Sequence, residues 1–446
     1  MAASPIAPRG RVVALALLVG AALAVSLSLR HVARQPAEAG PVRDAPRGWW
    51  RPALGEADLA PVDREALARQ LSLPYTAGVV RASGRFGVRA WDRERAAPGV
   101  NLYLSGHAPE AVLMAMDGAV LHRWRYPFER AFPEREPSDD TVFFRRAALL
   151  ADGDLVAIYQ GGGVVRLDAG SRLVWRAQAT PYNDLWVAPG GDRILILNKQ
   201  ASDRPDLRAD GPVLEDFVVT LDGDGRELAR ASLLEAFERS AFHALLRPLG
   251  ATADIFHSNT ITVLDGAGTR ASGPFAAGNL LVSLREIDTL AVLDPQARRV
   301  LWARRGPWRG QHEPSLLPDG RLLLFDNQGG AQGSSRVLAV EPESGAPQVL
   351  WPPRGVAFDS QQIGSAARLG NGDLLIVESE RGAALEVDAE GRVVWEFRSP
   401  HRAGARGELV ATLFDLVRYE ATTPFLAPLA ARGVASARRP AAAQAP

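Results

Sequence analysis

Two histidines stand in matching places of a chain that holds seven in all. His312 opens "HEPSLLPDGRLLLFDN" and His257 opens "HSNTITVLDG", each just ahead of an apolar strand that ends in a turn. Imidazole can donate, accept or attack, so an imidazole repeated at strand entrances is a candidate nucleophile or base. Arg285 ends "NLLVSLR", the strand that pairs back on the one after His257, and its guanidinium offers a planar fork of donors suited to the oxygens of a tetrahedral anion. Asn183 stands before "DLWVAP" and Ser365 before "AARLGNG" in the same manner, while Asp326 and Asn327 end the strand that follows His312. Gathered in one place, two imidazoles, a guanidinium and amide groups would hold an oxyanion. A metal on His257 and His312 is the weaker reading, because no carboxylate set accompanies them and the arginine repels a cation. His31, His107, His122, His243 and His401 lack this register and read as structural or exposed.

What could bring such residues together is a repeat hidden by drift. One phrase recurs: apolar strand, Asp/Asn-Gly turn, second strand, break, third strand, turn, and often a tryptophan. Its copies include "AVLMAMDGAVLHRW", "AALLADGDLVAIYQGGGVVRLDAGSRLVW", "DLWVAPGGDRILILNKQ" joined through an insertion to "DFVVTLDGDGREL", and "NTITVLDGAGTRASGPFAAGNLLVSLREIDTLAVLDPQARRVLW". Two more run from "PSLLPDGRLLLFDNQGG" to Trp351 and from "SAARLGNGDLLIVESERG" to Trp395. Outside the inserted copy the tryptophans fall about 45 to 50 residues apart, the period of propeller blades. Short strands with Gly-Asp turns and almost no helix predict an all-β fold, a six-bladed β-propeller of four-stranded antiparallel blades. The tryptophans read as packing between blades. Either residues 76 to 110 or the segment "LVATLFDLVRYEATTPFLAPL" must complete the ring. In a propeller the innermost strands run the same way along the channel, so residues at their entrances, and at the ends of the second strands, collect at one mouth.

Composition narrows the remainder. Apolar residues make up 47% and charged residues 23%, with zero formal net charge, so nothing draws the chain to nucleic acid. Without cysteine there is no disulfide and no thiol chemistry. Of 51 basic residues only Lys199 is lysine, which fits the codon usage of a GC-rich genome. "QGGGVV" lacks the Lys-Ser/Thr of a phosphate loop, and no Gly-x-Ser-x-Gly elbow supports a serine hydrolase.

Arg9 and Arg11 precede an uncharged run of 18 residues, 12 to 29, which is expected to be an uncleaved signal anchor. The expected organisation is a cytoplasmic stub and anchor over 1–34 and a Pro/Ala-rich linker over 35–75 with a short helix after Asp63. The propeller follows over 76–430, then a disordered tail over 431–446. The propeller is then a single-pass membrane protein's domain in the periplasm or outside the cell. Cleavage near Ala37-Glu38-Ala39, with secretion, is the other reading.

The motifs "FHSNTITVLDG", "LLVSLRE", "QHEPSLLPDGRLLLFDNQGG" and "GSAARLGNGDLLIVESERGAALEVDAEGRVVWEF" resemble those of the bacterial arylsulfate sulfotransferase family, over about residues 98 to 400. The resemblance implies an exported propeller enzyme that moves a sulfuryl group from an aryl sulfate ester to a phenolic acceptor, without a cofactor, metal or nucleotide donor. It implies that His312 is transiently sulfated and that His257 and Arg285 hold the sulfuryl oxygens. It places Asn183, Asn259, Asn327 and Arg336 around the substrate. Phe256, Trp308 and Phe358 are aromatic residues that could stack on it. The chain departs from the family at "PYNDLWV", where Tyr182 and Asn183 replace a histidine pair. An amide cannot exchange a proton with a phenol near neutral pH. The alternative is therefore an inactive membrane-anchored propeller that serves as a binding or assembly module.

Overall fold

The computed structural model describes residues 77–426 except 83, 209–210, 247–252 and 269–271. The expected anchor over 12–29, the linker helix after Asp63 and the tail from 431 lie outside the described residues. Among the described residues no helix is long and apolar enough to cross a membrane.

Asp-Gly turns set the local pattern. In Pro318-Asp319-Gly320 the Gly320 amide returns to the Leu317 carbonyl at 2.9 Å, and its φ of +88° is a conformation that a Cβ would oppose. Such hairpins are stacked into sheets in chain order. β1 (Gly87–Trp91) is separate and is taken up later. Blade 1 receives β2 (Val100–Ser105), β3 (Glu110–Ala115) and β4 (Val120–Arg125). Blade 2 is β5 (Arg146–Leu149), β6 (Leu155–Tyr159), β7 (Gly163–Leu167) and β8 (Leu173–Ala177). Blade 3 is β9 (Pro181–Val187), β10 (Arg193–Ser202), β11 (Val213–Asp222) and β12 (Glu227–Ser232). Blade 4 is β13 (Ser258–Val263), β14 (Leu280–Leu284), β15 (Thr289–Asp294) and β16 (Arg299–Arg305). Blade 5 is β17 (His312–Leu316), β18 (Leu322–Asp326), β19 (Arg336–Val340) and β20 (Pro347–Trp351). Blade 6 is β21 (Ser365–Arg368), β22 (Leu374–Glu378), β23 (Ala383–Val387) and β24 (Val393–Arg398). A ribbon of β25 (Arg402–Ala403) and β26 (Leu409–Val410) then leads to β27 (Leu413–Tyr419).

The ring is closed from the C-terminal side. β27 pairs antiparallel with β2, Val100 opposite Tyr419, and supplies the innermost strand of blade 1. β1 instead joins the outer edge of blade 6 through β24, as a fifth strand that covers an otherwise open edge. Both segments considered for closure are thus used, but only the later one enters the channel.

Between neighbouring blades the facing apolar side chains form separate clusters, and one of them joins Tyr103, Val112 and Met114 of blade 1 to Val377 and Trp395 of blade 6. The recurring tryptophans lie on the fourth strands counted from the channel and reach the next blade. The Trp395 indole donates to the Met116 carbonyl across the seam at 2.9 Å, and Trp175 donates to Gly223 of blade 3 at 2.9 Å. Trp395 is fully buried. Trp395→Ala should lower stability by about 3–5 kcal/mol, the usual cost of emptying a tryptophan site, read as a lower midpoint in a urea titration followed by circular dichroism.

Candidate active site at the channel mouth

The innermost strands bring an unusual amount of charge to the axis. Arg146 of β5 pairs with Asp184 of β9 at 2.8 Å, Glu313 of β17 at 2.9 Å and Asp415 of β27 at 3.0 Å. One guanidinium thereby ties four blades together. Burial, opposed by Arg146, lifts the Glu313 carboxyl to about 7, so three acids around one cation need not all be charged at neutral pH.

His312 stands at the entrance of β17, fully enclosed. Its Nδ1 faces the Gly310 carbonyl at 3.1 Å and the Asn327 Oδ1 at 2.8 Å. The Asn327 amide is oriented by its Nδ2, which donates to the Ser360 carbonyl at 2.7 Å. Both partners of Nδ1 only accept, so Nδ1 carries the hydrogen and Nε2 keeps its lone pair. Nε2 is buried and has no hydrogen-bond partner among the described residues. Burial, and next the Arg285 cation, hold the imidazole well below its ordinary pKa. A neutral ring with one aimed, unshared lone pair is a nucleophile.

Arg285 follows β14, and its amide donates to the His257 carbonyl at 3.3 Å. Its Nε lies 3.8 Å from the place a Cβ on Gly310 would take, which sets the guanidinium over the backbone that orients His312. Its Nη1 donates to Glu286 at 2.5 Å. His257 bonds through Nδ1 to Asp254 Oδ2 at 2.7 Å, and the Lys199 ammonium donates to that same oxygen. Burial would raise the Asp254 pKa, but Lys199 and His257 outweigh it and hold the carboxyl far below its usual range. Burial and the Lys199 charge lower His257, against the pull of Asp254. The neighbouring Asp216, which accepts from the Ser258 hydroxyl, is lifted by burial to about 7.

Asn183 occupies the matching place in blade 3. Its Nδ2 donates to the Ser258 carbonyl at 2.7 Å, and its buried Oδ1 has no partner among the described residues. The backbone is left-handed at Asn183 (φ +69°), His257 (φ +45°) and Glu313 (φ +49°). Strand register also breaks beside these entrances, between Ser258 and Thr260 and between His312 and Ser315. Bulges and positive φ re-aim side chains at a local cost, and they concentrate where a site needs odd directions.

Other residues singled out from sequence do different work. Asn259 donates to the Gln311 carbonyl at 2.8 Å and so ties blade 4 to the entrance of blade 5. Arg336 pairs with Asp326 at 2.7 Å and donates to Pro307 at 3.2 Å, bracing the turn beyond Asn327. Ser365 starts β21, opposite Val377. Phe256 packs on Phe237 at 5.5 Å, Phe358 on Phe325 at 5.3 Å, and Trp308 lies in the cluster between blades 4 and 5.

Three residues that sequence reasoning passed over lie near the ends of second strands, as Arg285 does. Gln160 directly follows β6 in blade 2, Lys199 lies three residues before the end of β10 in blade 3, and Glu380 stands two residues past β22 in blade 6. Gln160 is buried with neither amide atom partnered among the described residues. Glu380 accepts from the Gln362 amide at 2.6 Å through Oε1, while its buried Oε2 has no partner among the described residues. Burial lifts it to about 7, against smaller effects that include Arg285. Ser360 joins it to the His312 side, since the Ser360 hydroxyl accepts from the Glu380 amide at 3.3 Å and the Ser360 carbonyl accepts from Asn327. Lys199 carried a signal, being the single lysine kept in an arginine-rich chain. A separate cavity of about 360 Å³ between blades 3 and 4, with Trp186, Leu228 and Arg298 in its walls, contains none of the histidine site.

The channel mouth pairs an unshared imidazole lone pair with a guanidinium, two groups suited to an anionic ligand. The sequence profile of the family described as arylsulfotransferase (ASST) matches residues 146–400, more than half of the chain. The chain belongs to this family. A search of curated proteins gives no match. Among solved structures, a protein of unknown function from Bacteroides caccae is 15% identical, covers 68% of this chain and 94% of its own, and has a TM-score of 0.41. A streptogramin B lyase is 11% identical, with 77% and 97% covered and a TM-score of 0.41. The virginiamycin B lyase from Staphylococcus aureus is 10% identical, with 72% and 88% covered and a TM-score of 0.38.

Lys199→Met keeps most of the bulk but removes the cation between Asp254 and Asp216. It should cost about 3–5 kcal/mol near neutral pH, as when one partner of a buried pair is lost. The Asp254 pKa is depressed in the folded protein, so its contribution is present above the unfolded carboxylate value and fades as pH falls through the lower folded one. The gap between variant and parent, measured by urea titration, should narrow on acidification.

Proposed function

We propose that the protein transfers a sulfuryl group from an aryl sulfate to a phenol through a sulfated His312. The observation that carries this reading is the His312 Nε2 lone pair, buried, unshared and fixed in direction by Gly310 and Asn327. In the first half-reaction Nε2 attacks sulfur, the bond from sulfur to the aryl oxygen breaks, and the leaving phenolate takes a proton from Glu380. The sulfated ring keeps its Nδ1 hydrogen, and the Gly310 and Asn327 oxygens stabilise the charge it gains. Arg285 balances the charge on the sulfuryl oxygens, which spreads in the transition state. In the second half-reaction Glu380 takes the proton of the acceptor phenol, the phenol oxygen attacks sulfur, and the nitrogen–sulfur bond breaks to restore neutral His312.

Glu380 answers the departure at Asn183. A carboxyl near 7 is half charged at neutral pH, so it can give a proton in one half-reaction and accept one in the next. Asn183 keeps only the binding part of the histidine it replaces. The inactive binding-module reading rests on that replacement. Export and membrane anchoring through residues 12–29 belong to the proposal as well, supported by the apolar run and its flanking arginines.

Incubation with a sulfur-labelled aryl sulfate should leave acid-labile label on the chain, and His312→Ala should remove it. Label that persists unchanged in His312→Ala rules out this nucleophile, and no label on either protein leaves the binding module. With an acceptor of high phenol pKa, kcat/KM should rise with pH through about 7 as Glu380 ionises. Glu380→Gln should lose that rise and about 10²- to 10⁴-fold in rate, the usual worth of a positioned base. A profile unchanged in Glu380→Gln would move the proton to the Asp254–His257 pair.

A further inference from the structure

We propose that Gln160 and Asn183 form a subsite for a second hydroxyl group, so that the phenols this protein takes carry hydroxyls at opposite ends of the aromatic body. The inference rests on the reading of His312 as the reacting group only for which end is sulfated.

Gln160 is 1% exposed, and neither its Oε1 nor its Nε2 has a hydrogen-bond partner among the described residues. A buried amide left unmet at both ends costs free energy that a ligand can recover. Its place in the repeat says what it faces. Residues near the ends of second strands serve the entrance of the next blade. The Lys199 ammonium meets Asp254 beside His257, Arg285 lies over Gly310 beside His312, and Asn327 donates to Ser360 ahead of β21. By the same rule Gln160 of blade 2 serves the entrance of blade 3, where Asn183 stands. Ile158, two residues back, packs with Leu185 and Ile196 of blade 3, and strand alternation puts Gln160 on that side. The Gly161 amide then donates to the Pro181 carbonyl at 2.7 Å, just short of Asn183. Asn183 adds a further buried acceptor with no partner among the described residues, its Oδ1.

Two acceptor oxygens and one donor nitrogen select the chemistry of the occupant. A carboxylate or sulfate would accept from Nε2 but leave both amide oxygens facing a negative charge. An ammonium would donate to both oxygens, yet Arg145 stands at the entrance of β5, 3% exposed, and its cation already bears on His312 and Asp184. A hydroxyl is neutral, accepts from Nε2 and donates to one of the oxygens. Position fixes the rest. The clusters between blades follow one another around the ring in chain order, which sets blade 2 opposite blade 5 and His312. A phenol with one oxygen at His312 Nε2 therefore meets Gln160 only with a hydroxyl at its far end.

Naphthalene-2,6-diol should bind the resting protein about tenfold more tightly than its monomethyl ether by calorimetry, the worth of one buried hydrogen bond. Gln160→Met keeps the length of the side chain without its polar atoms. It should erase that difference and unfold at no lower urea concentration than the parent, since it removes unmet polar groups. In turnover with an aryl sulfate donor the advantage of the diol should lie in KM, with kcat alike for diol and ether, as expected of an interaction remote from the reacting bond. Catechol, whose hydroxyls are side by side, should gain nothing over its own monomethyl ether. Equal affinity for naphthalenediol and ether, a difference that survives Gln160→Met, or the same gain with catechol overturns the subsite. A marked loss of stability in Gln160→Met makes the amide structural and overturns it as well. A binding preference without any sulfuryl transfer keeps the subsite and removes only the reaction.

Discussion

The pairing of Leu413–Tyr419 with Val100–Ser105 turns a stack of sheets into a ring, and the channel exists because of it. A blade of this kind is apolar on both faces and is stable only between two neighbours. Blades 1 and 6 obtain their second neighbour from each other, through the cluster that holds Trp395, Tyr103 and Met114. Closure also fixes the axis: Asp415 reaches Arg146 only because β27 comes home to blade 1. A guanidinium held by carboxylates of three other blades then ties the innermost strands to one another.

Desolvation governs the proton affinities at the mouth. The same burial that keeps the His312 ring neutral keeps Glu380 partly protonated, because each resists charge in a medium poorer than water. Asp254 goes the other way since Lys199 and His257 both bear on it. Groups of similar type therefore end with different proton affinities within one mouth. Left-handed backbone at Asn183, His257 and Glu313 is the local strain that this arrangement accepts.

Much of the architecture could be read before any coordinates. Tryptophan spacing and Asp-Gly turns specify blades, since each blade repeats one pattern of burial and turn. The rule that second-strand ends return to the mouth of His257, His312 and Arg285 also covers Gln160, Lys199 and Glu380, which lie near the ends of theirs. These were passed over because glutamine, lysine and glutamate at strand ends are ordinary surface residues in most chains. His107 and His401 share no register in the sequence, yet they stack at 3.5 Å across the seam. No spacing in sequence predicts a contact made by ring closure.

By itself, then, the amino-acid sequence determined the repeat, the strand count per blade, the candidate nucleophile and the family, because all of these rest on local pattern or on short motifs. Tertiary structure alone decided which segment closes the ring, which nitrogen of His312 is free, and which carboxyls sit near neutrality. The physical reason is common to all three. Each depends on partners brought from other blades and on the exclusion of water, and Asn327, Ser360 and Glu380 acquire their roles at His312 only when blades 5 and 6 are pressed together.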